Sequence, residues 1–345
     1  SATDSAGNTS ALGNSSFTLD TIAPSTPVAP TVIANISSGI SASEATSGFS
    51  VTTSLVGTNA VAGDTIKLVI NGGTTNLSAT LSASDITNGT YTFTVTNSSI
   101  TANTNNTFAA QVIDAAGNAG PASSTISLAY DTIAPAVTAV TDNTAASVTN
   151  APITFNVVFG EAVVGSVTTA NFTATNGTVS SVTTVDSTHY TVVVTPSSNV
   201  ASGTVALSLV GTGLTDLAGN AIANASLSGL DAQSIDTLAP SAPVFALGTG
   251  VAGGATATEA TQAGGVVTLT AESGAAVSVT FTNGANTVTK SLTGTGASQA
   301  VTLTSADLTT LGNGTISVSA SATDSAGNTS ALGNSSFTLD TIAPS

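Results

Sequence analysis

The chain carries eighteen carboxylates, two lysines, no arginine and one histidine, so any polar chemistry it performs falls mainly to Asp and Glu. Nine of these acids fall into three sets: Asp20, Asp64 and Asp114; Asp131, Glu161 and Asp216; Asp236, Glu272 and Asp324. Each set holds one Asp from a D-T-x-A-P segment, one acid from the stretch that follows, and the Asp of a D-x-A-G-N segment. Carboxylates brought into one small volume repel each other unless a cation is present. Ca²⁺ suits such a site, because it takes six to eight oxygens at about 2.3–2.6 Å and accepts backbone carbonyls from Gly- and Asn-rich loops. The same acids could instead keep the chain soluble or hydrogen-bond the amides of their own turns, with Asn8, Asn118, Asn220 and Asn328 in turn roles. A smaller set is Glu44, 24 residues after Asp20, and Glu259, 23 after Asp236. Each stands before an expected strand, at the unit end expected to hold Asp85 and Asp307, where it could extend a cation shell or simply be solvated. Asp340 repeats the linker Asp once more, and Asp142 is a counterpart of this set in the middle of the chain.

Composition excludes several functions. The formal charge is −16, with Lys67 and Lys290 the only basic residues besides His189. Phosphate binding needs clustered Lys or Arg, so nucleic acid is excluded as a partner, and anionic membrane surfaces are disfavoured for the same reason. There is no Cys, hence no disulfide, thiolate zinc site or thiol nucleophile. There is no Met, which removes a common oxidation target. No run of 18 apolar residues exists to cross a membrane as a helix. Scarce tryptic sites and the lack of oxidisable sulfur suit a chain exposed outside the cell. A lone His at a strand start, with no Cys and no Ser-His-Asp spacing, argues against an enzyme. Lys67 and Lys290 read as ordinary outward-facing strand residues rather than partners in a crosslink.

The elements that must position the acids repeat. Residues 1–25 return letter for letter at 321–345, and the first Asp of the D-x-A-G-N turn falls at 4, 114, 216 and 324, spaced by 110, 102 and 108. Units of about 100 residues can each bury a core. The implied boundaries are 1–20 as the closing strand of a preceding unit, then 21–131, 132–236 and 237–340 as three units, and 341–345 as a linker. Alternating Val-, Thr- and Ile-rich runs broken by Asn-Gly predict many short strands. The third unit has seven: Val244–Leu247, 266–271, 277–282, 287–292, 300–304, 315–323 and 335–339. The first repeats this plan with 49–55, 65–70, 90–95, 108–113 and 124–130. The middle one is a variant, with Ile153–Phe159, an Asn176-Gly177 turn, 190–195 and 204–210. Strands with one apolar face must pack as two sheets.

Ordered copies of D-x-A-G-N and D-T-x-A-P resemble the bacterial immunoglobulin-like tandem repeats of giant surface adhesins, the RTX-type and biofilm-associated (Bap-type) proteins exported by type I secretion. F-G-E-A-V at 159–163, N-F-T-A-T-N-G-T-V at 171–179 and H-Y-T-V-V-V-T-P at 189–196 resemble a common variant of those repeats, with Gly160 in place of a usual Ser. The resemblance covers nearly the whole chain. It implies an all-β protein of tandem immunoglobulin-like Greek-key β-sandwiches in an extended rod, acting as an extracellular spacer in cell adhesion and biofilm formation, rigidified by interdomain Ca²⁺. In seven-strand immunoglobulin order the loops carrying the second and third acids of each set lie at the end where the linker Asp arrives. The linker of about five residues, with its Pro, is then a restricted hinge. The expected partners are neighbouring repeats of the same polypeptide, with no membrane insertion. Two other readings stand beside this one: a surface-layer, sheath or filament subunit that self-associates laterally, and a ligand-binding adhesive module.

Overall fold

The computed structural model describes residues 1–345 except 33–35, 37, 74, 146, 344 and 345. The last two fall in the expected 341–345 linker, which is therefore described only in part. The described residues form many short antiparallel strands and a few one- or two-turn helices. By its contacts the chain divides into two units. One comprises 1–135 with the segments 162–164 and 214–222; the other comprises 136–161, 165–213 and 223–345.

In the first unit, Thr31–Val32, Phe49–Ser54 and Thr90–Val95 form a three-stranded sheet, and Leu77–Thr80, Thr65–Ile70, Thr104–Ile113 and Ile126–Tyr130 a four-stranded one. Strict alternation makes the packing possible: Phe49–Ser54 reads buried then half-buried along its length, and Thr65–Ile70 runs in the opposite phase. Phe49, Val51, Ile66, Leu68, Ile70, Phe93 and Phe108 share one core. Phe49 meets Phe108 edge-on, with ring centroids 6.2 Å apart.

The second unit contains two such assemblies. Residues 244–339 repeat the three-plus-four plan: Val244–Leu247, Val267–Thr270 and Ser298–Val301 in one sheet, and Asn286–Thr293, Ala276–Asn283, Gly314–Thr323 and Gly333–Leu339 in the other. The middle segment departs from it. Its four-stranded sheet runs Gly177–Thr184, His189–Pro196, Ile153–Phe159 and Val137–Asp142. The expected single strand over 204–210 is two strands in two sheets. Gly203–Val205 pairs with Gln233–Ile235, whereas Leu207–Leu209 pairs with Phe172–Ala174 and Ala225–Ser226. The switch falls at Ala206, whose N–H donates to Thr175 Oγ1 at 3.0 Å.

Four short helices were not expected, because none is long enough to show helical periodicity. Each is made by a capping box: Ser41 with Glu44, Ser82 with Asp85, Thr256 with Glu259, and Thr304 with Asp307.

Candidate metal site at the linker aspartates

Each D-x-A-G-N turn folds locally in the same way. The Asp216 carboxylate accepts the Asn220 backbone N–H at 2.8 Å and the Asn220 side-chain amide at 2.6 Å. Asp114 with Asn118, Asp324 with Asn328, and Asp4 with Asn8 repeat both bonds. Gly7, Gly117, Gly219 and Gly327 sit at positive φ at the one position of the turn that demands it. The amide donors leave the Asp4, Asp114 and Asp324 carboxylates more acidic than usual. The side-chain bond from Asn118 is the main cause at Asp114, as the bond from Asn8 is at Asp4. At Asp324 burial pushes the carboxyl up, and the Asn328 side chain and turn amides outweigh it, leaving it below the ordinary value.

The Asn of the turn does a second job. Asn118 Nδ2 donates to the Asp20 carbonyl at 3.1 Å, Asn220 Nδ2 to the Asp131 carbonyl at 3.0 Å, and Asn328 Nδ2 to the Asp236 carbonyl at 3.0 Å. The remaining side-chain oxygen is also used at two of the three. Asn220 Oδ1 accepts the Ala42 N–H at 2.9 Å, and Asn328 Oδ1 accepts from Asn150 Nδ2 at 3.0 Å. Asn220 and Asn328 are buried, and each is bonded through both amide ends. Reading these asparagines as turn residues therefore captured half of their role.

The linker acids form Asx turns. Asp20, Asp131, Asp236 and Asp340 each accept, through Oδ1, the N–H two residues on, at 2.9–3.1 Å.

Within the first unit, one acid of the linker and one of the turn come close enough to share an ion. Asp131 and Asp216 offer carboxylate oxygens within 4.8 Å of each other. Two oxygens on opposite sides of a Ca²⁺ ion stand about 4.6–5.2 Å apart, so this spacing suits that cation. The donors are all oxygen, with no Cys or His, which favours a hard cation over zinc or copper. Asp216 is buried and Asp131 is half-buried.

The other two sets are arranged differently. Asp20, Asp64 and Asp114 line one cleft together with Ile22, Pro24 and Val61. Asp64 is buried there, and its two oxygens accept the Val61 and Ala115 N–H groups. Asp236 and Asp324 are half-buried, while Glu272 lies exposed beside Ser241 and Gly296.

The smaller set has a structural occupation. Glu44 and Glu259 are the helix-start carboxylates of two capping boxes, each accepting the backbone N–H and the hydroxyl of Ser41 or Thr256. Bonds from the Thr256 backbone and then its hydroxyl hold Glu259 below the ordinary carboxylate value. Asp85 and Asp307 play the same part, and Lys290 Nζ also reaches Asp307 at 2.6 Å. The expectation that Lys290 is merely outward-facing is corrected by that ion pair. Asp142 and Asp231 meet through the Asp142 N–H, and Asp186 caps the turn before His189.

Residues 131–233 match a family model described as a bacterial Ig-like domain. No curated protein matches the chain. Among solved structures, a 1.5-MDa bacterial ice-binding adhesin is 22% identical, with 91% of this chain and 98% of that one covered and a TM-score of 0.46. A tetra-tandem repeat from the extending region of a large adhesion protein is 18% identical, with 92% and 74% covered and a TM-score of 0.29. InvD of Yersinia pseudotuberculosis is 17% identical, with 92% and 98% covered and a TM-score of 0.31.

Proposed function

We propose, from the match to a bacterial Ig-like domain at 131–233 and the repetition around it, that this chain is a spacer segment of a large bacterial surface adhesin, working outside the cell and tuned by calcium. The observation that carries the reading is the approach of Asp131 and Asp216 within 4.8 Å of each other. One belongs to the linker and the other starts a D-x-A-G-N turn. An ion shared by them ties the linker to the turn. Asn220 already holds the Asp131 carbonyl, so the backbone is positioned before any ion arrives. Asp131 and Asp216 hold the ion, with Glu161 as the further ligand that its place in the repeat suggests, and the ion's contribution is to neutralise the repulsion of the acids.

The role is mechanical rather than catalytic. A spacer needs domains that fold alone, short joints and little surface reactivity, and this chain has no Cys, no Met and few charges. Extracellular modules bind Ca²⁺ at about 10⁻⁴–10⁻³ M, so the joint stiffens outside a cell and relaxes within it. Such relaxation suits export of an extended polypeptide.

Small-angle X-ray scattering of the whole chain, in millimolar-range calcium and then in excess chelator, tests the proposal. The expected result is a narrower distribution of interatomic distances with calcium, lost in Asp131→Asn. Superimposable curves in the two conditions would sink the calcium part of the reading.

A further inference from the structure

Asparagine is a chemically labile residue, above all when glycine follows it. Hydroxide takes the proton of the glycine N–H, and the nitrogen attacks the asparagine Cγ. Ammonia leaves, taking a proton from water and regenerating the hydroxide, and a five-membered succinimide remains. Water then opens the ring to aspartate or to isoaspartate, in which the backbone runs through the former side-chain carbonyl. The net change is one water taken up and one ammonia released. Glycine favours the attack because it has no Cβ to obstruct it.

The chain has five such pairs, Asn71-Gly72, Asn88-Gly89, Asn176-Gly177, Asn283-Gly284 and Asn313-Gly314. Four of the side-chain amides are held. Asn71 donates to Asn106 Oδ1 at 2.8 Å and accepts the Thr107 N–H at 2.9 Å. Asn176 donates to the Thr204 carbonyl at 3.0 Å, and Asn283 to the Leu311 carbonyl at 2.9 Å. Asn313 Oδ1 accepts the Thr341 N–H at 3.0 Å and its hydroxyl at 2.9 Å. Asn88 differs. It is exposed, and its side chain makes no hydrogen bond among the described residues. It is also the last residue of the helix Ala83–Asn88, and helix ends fray. The Gly89 N–H donates to the Ile86 carbonyl at 3.2 Å, and that is the bond that must open. The sequence supplies an internal control, because T-N-G-T stands both at 87–90 and at 175–178. The bare peptides are identical, so any difference between the two copies comes from the fold.

We propose that Asn88 is a self-modification site, at which the folded chain converts asparagine to aspartate or isoaspartate while its other Asn-Gly pairs are protected. The isoaspartyl product reaches into the sheet. The Gly89 carbonyl accepts the Leu55 N–H at 2.8 Å, beside the Ser54–Thr90 end of the ladder between Phe49–Ser54 and Thr90–Val95. One extra backbone atom ahead of Gly89 displaces that carbonyl. Thr90–Val95 is the terminal strand of its sheet, with a ladder on one side only, so it frays from this end.

Peptide mass mapping of the whole chain tests the proposal after incubation at mildly alkaline pH, once folded and once in concentrated urea. In the folded chain Asn88 should convert at least about tenfold faster than Asn176, whose hydrogen bond must break first. In urea the two T-N-G-T copies should convert at the same rate. Equal rates at 88 and 176 in the folded chain, a faster rate at any of the other four pairs, or a lead of Asn88 that persists in urea would each overturn the proposal. Hydrogen exchange reads the consequence. Exchange at the Leu55 amide should quicken as Asn88 converts, and should stay constant through the same incubation in Asn88→Gln. Leu55 exchange that does not follow conversion would overturn the fraying of the terminal strand.

Discussion

The side-chain amide of Asn220 donates to the backbone carbonyl of Asp131 at 3.0 Å, across 89 residues of sequence. The same amide group also donates to Asp216, and its oxygen accepts from Ala42. One buried side chain thus joins the linker, the turn and the start of a helix. Asn118 and Asn328 bond their own linker carbonyls in the same way, which makes this a design repeated with the domains.

Removal of that side chain should be costly without any metal present. Asn220→Ala leaves the Asp131 carbonyl, an Asp216 oxygen and the Ala42 N–H short of a partner in a partly buried place. Each orphaned group costs roughly 1–3 kcal/mol. Chemical denaturation in chelator should show a loss of at least about 2 kcal/mol, and proteolysis should cut sooner near the linker. The exposed Asn14→Ala should fall within about 0.5 kcal/mol of wild type. Equal stability of the two variants would contradict the clamp.

Calcium affinity should depend unequally on the acids proposed as ligands. Asp216 already accepts the Gly219, Asn220 and Asn220 side-chain N–H groups, so its replacement mixes folding with binding. Asp131→Asn is the cleaner test, and Glu161→Gln asks whether that acid takes part. By calorimetry each should weaken calcium binding by at least about tenfold, because affinity follows ligand charge. Melting in chelator should hardly change for Asp131→Asn, since the Asn side-chain oxygen can still accept the Ile133 N–H. Unchanged calcium titrations for both variants would show that the ion, if bound, sits elsewhere.

Much of this was legible in the sequence. Thr65–Ile70, Thr90–Val95, Ile153–Phe159 and Val244–Leu247 have the bounds that alternation and turn residues predict. What alternation cannot state is the pairing partner. A period of two reads the same through 203–209, yet that stretch serves two sheets. The capping boxes show in the sequence only as S/T-x-x-D/E spacings, because helices of four to seven residues leave no periodicity. The approach of Asp131 to Asp216 involves two of the acids that the repeating D-T-x-A-P and D-x-A-G-N segments single out. The Asn clamps were not legible in this way, because a local turn motif carries no sign of a bond 89 residues away.

Acid should loosen the turns below the usual carboxylate range. Asp4, Asp114 and Asp324 titrate below the ordinary value in the folded chain. A depressed folded pKa means that their stabilisation is complete above the unfolded value, about 4, and is lost as pH falls through the folded one. Denaturation from neutral pH down to about 3 should be flat until roughly pH 4–5 and then fall. Asp114→Asn should reduce that acid-dependent part, whereas a curve already falling at pH 6 would implicate another group.

The repeated 25 residues allow one substitution to be made twice in the same molecule, in two environments. Phe337 packs edge-on against Phe281, with ring centroids 6.4 Å apart, whereas Phe17 is open to solvent. Phe337→Ala should cost about 3–5 kcal/mol, the usual loss for a buried aromatic. Phe17→Ala should change stability by no more than about 0.5 kcal/mol. Gly333 and Gly13 form a second such pair. A Cβ on Gly333 would collide with the Pro243 carbonyl, and on Gly13 it would meet nothing within 4 Å. Gly333→Ala should therefore destabilise the chain while Gly13→Ala leaves it unchanged. Since neighbours in sequence are identical within each pair, any difference between its two members measures tertiary context alone. Equal effects at 17 and 337 would mean that the early copy is packed in solution as well as the late one.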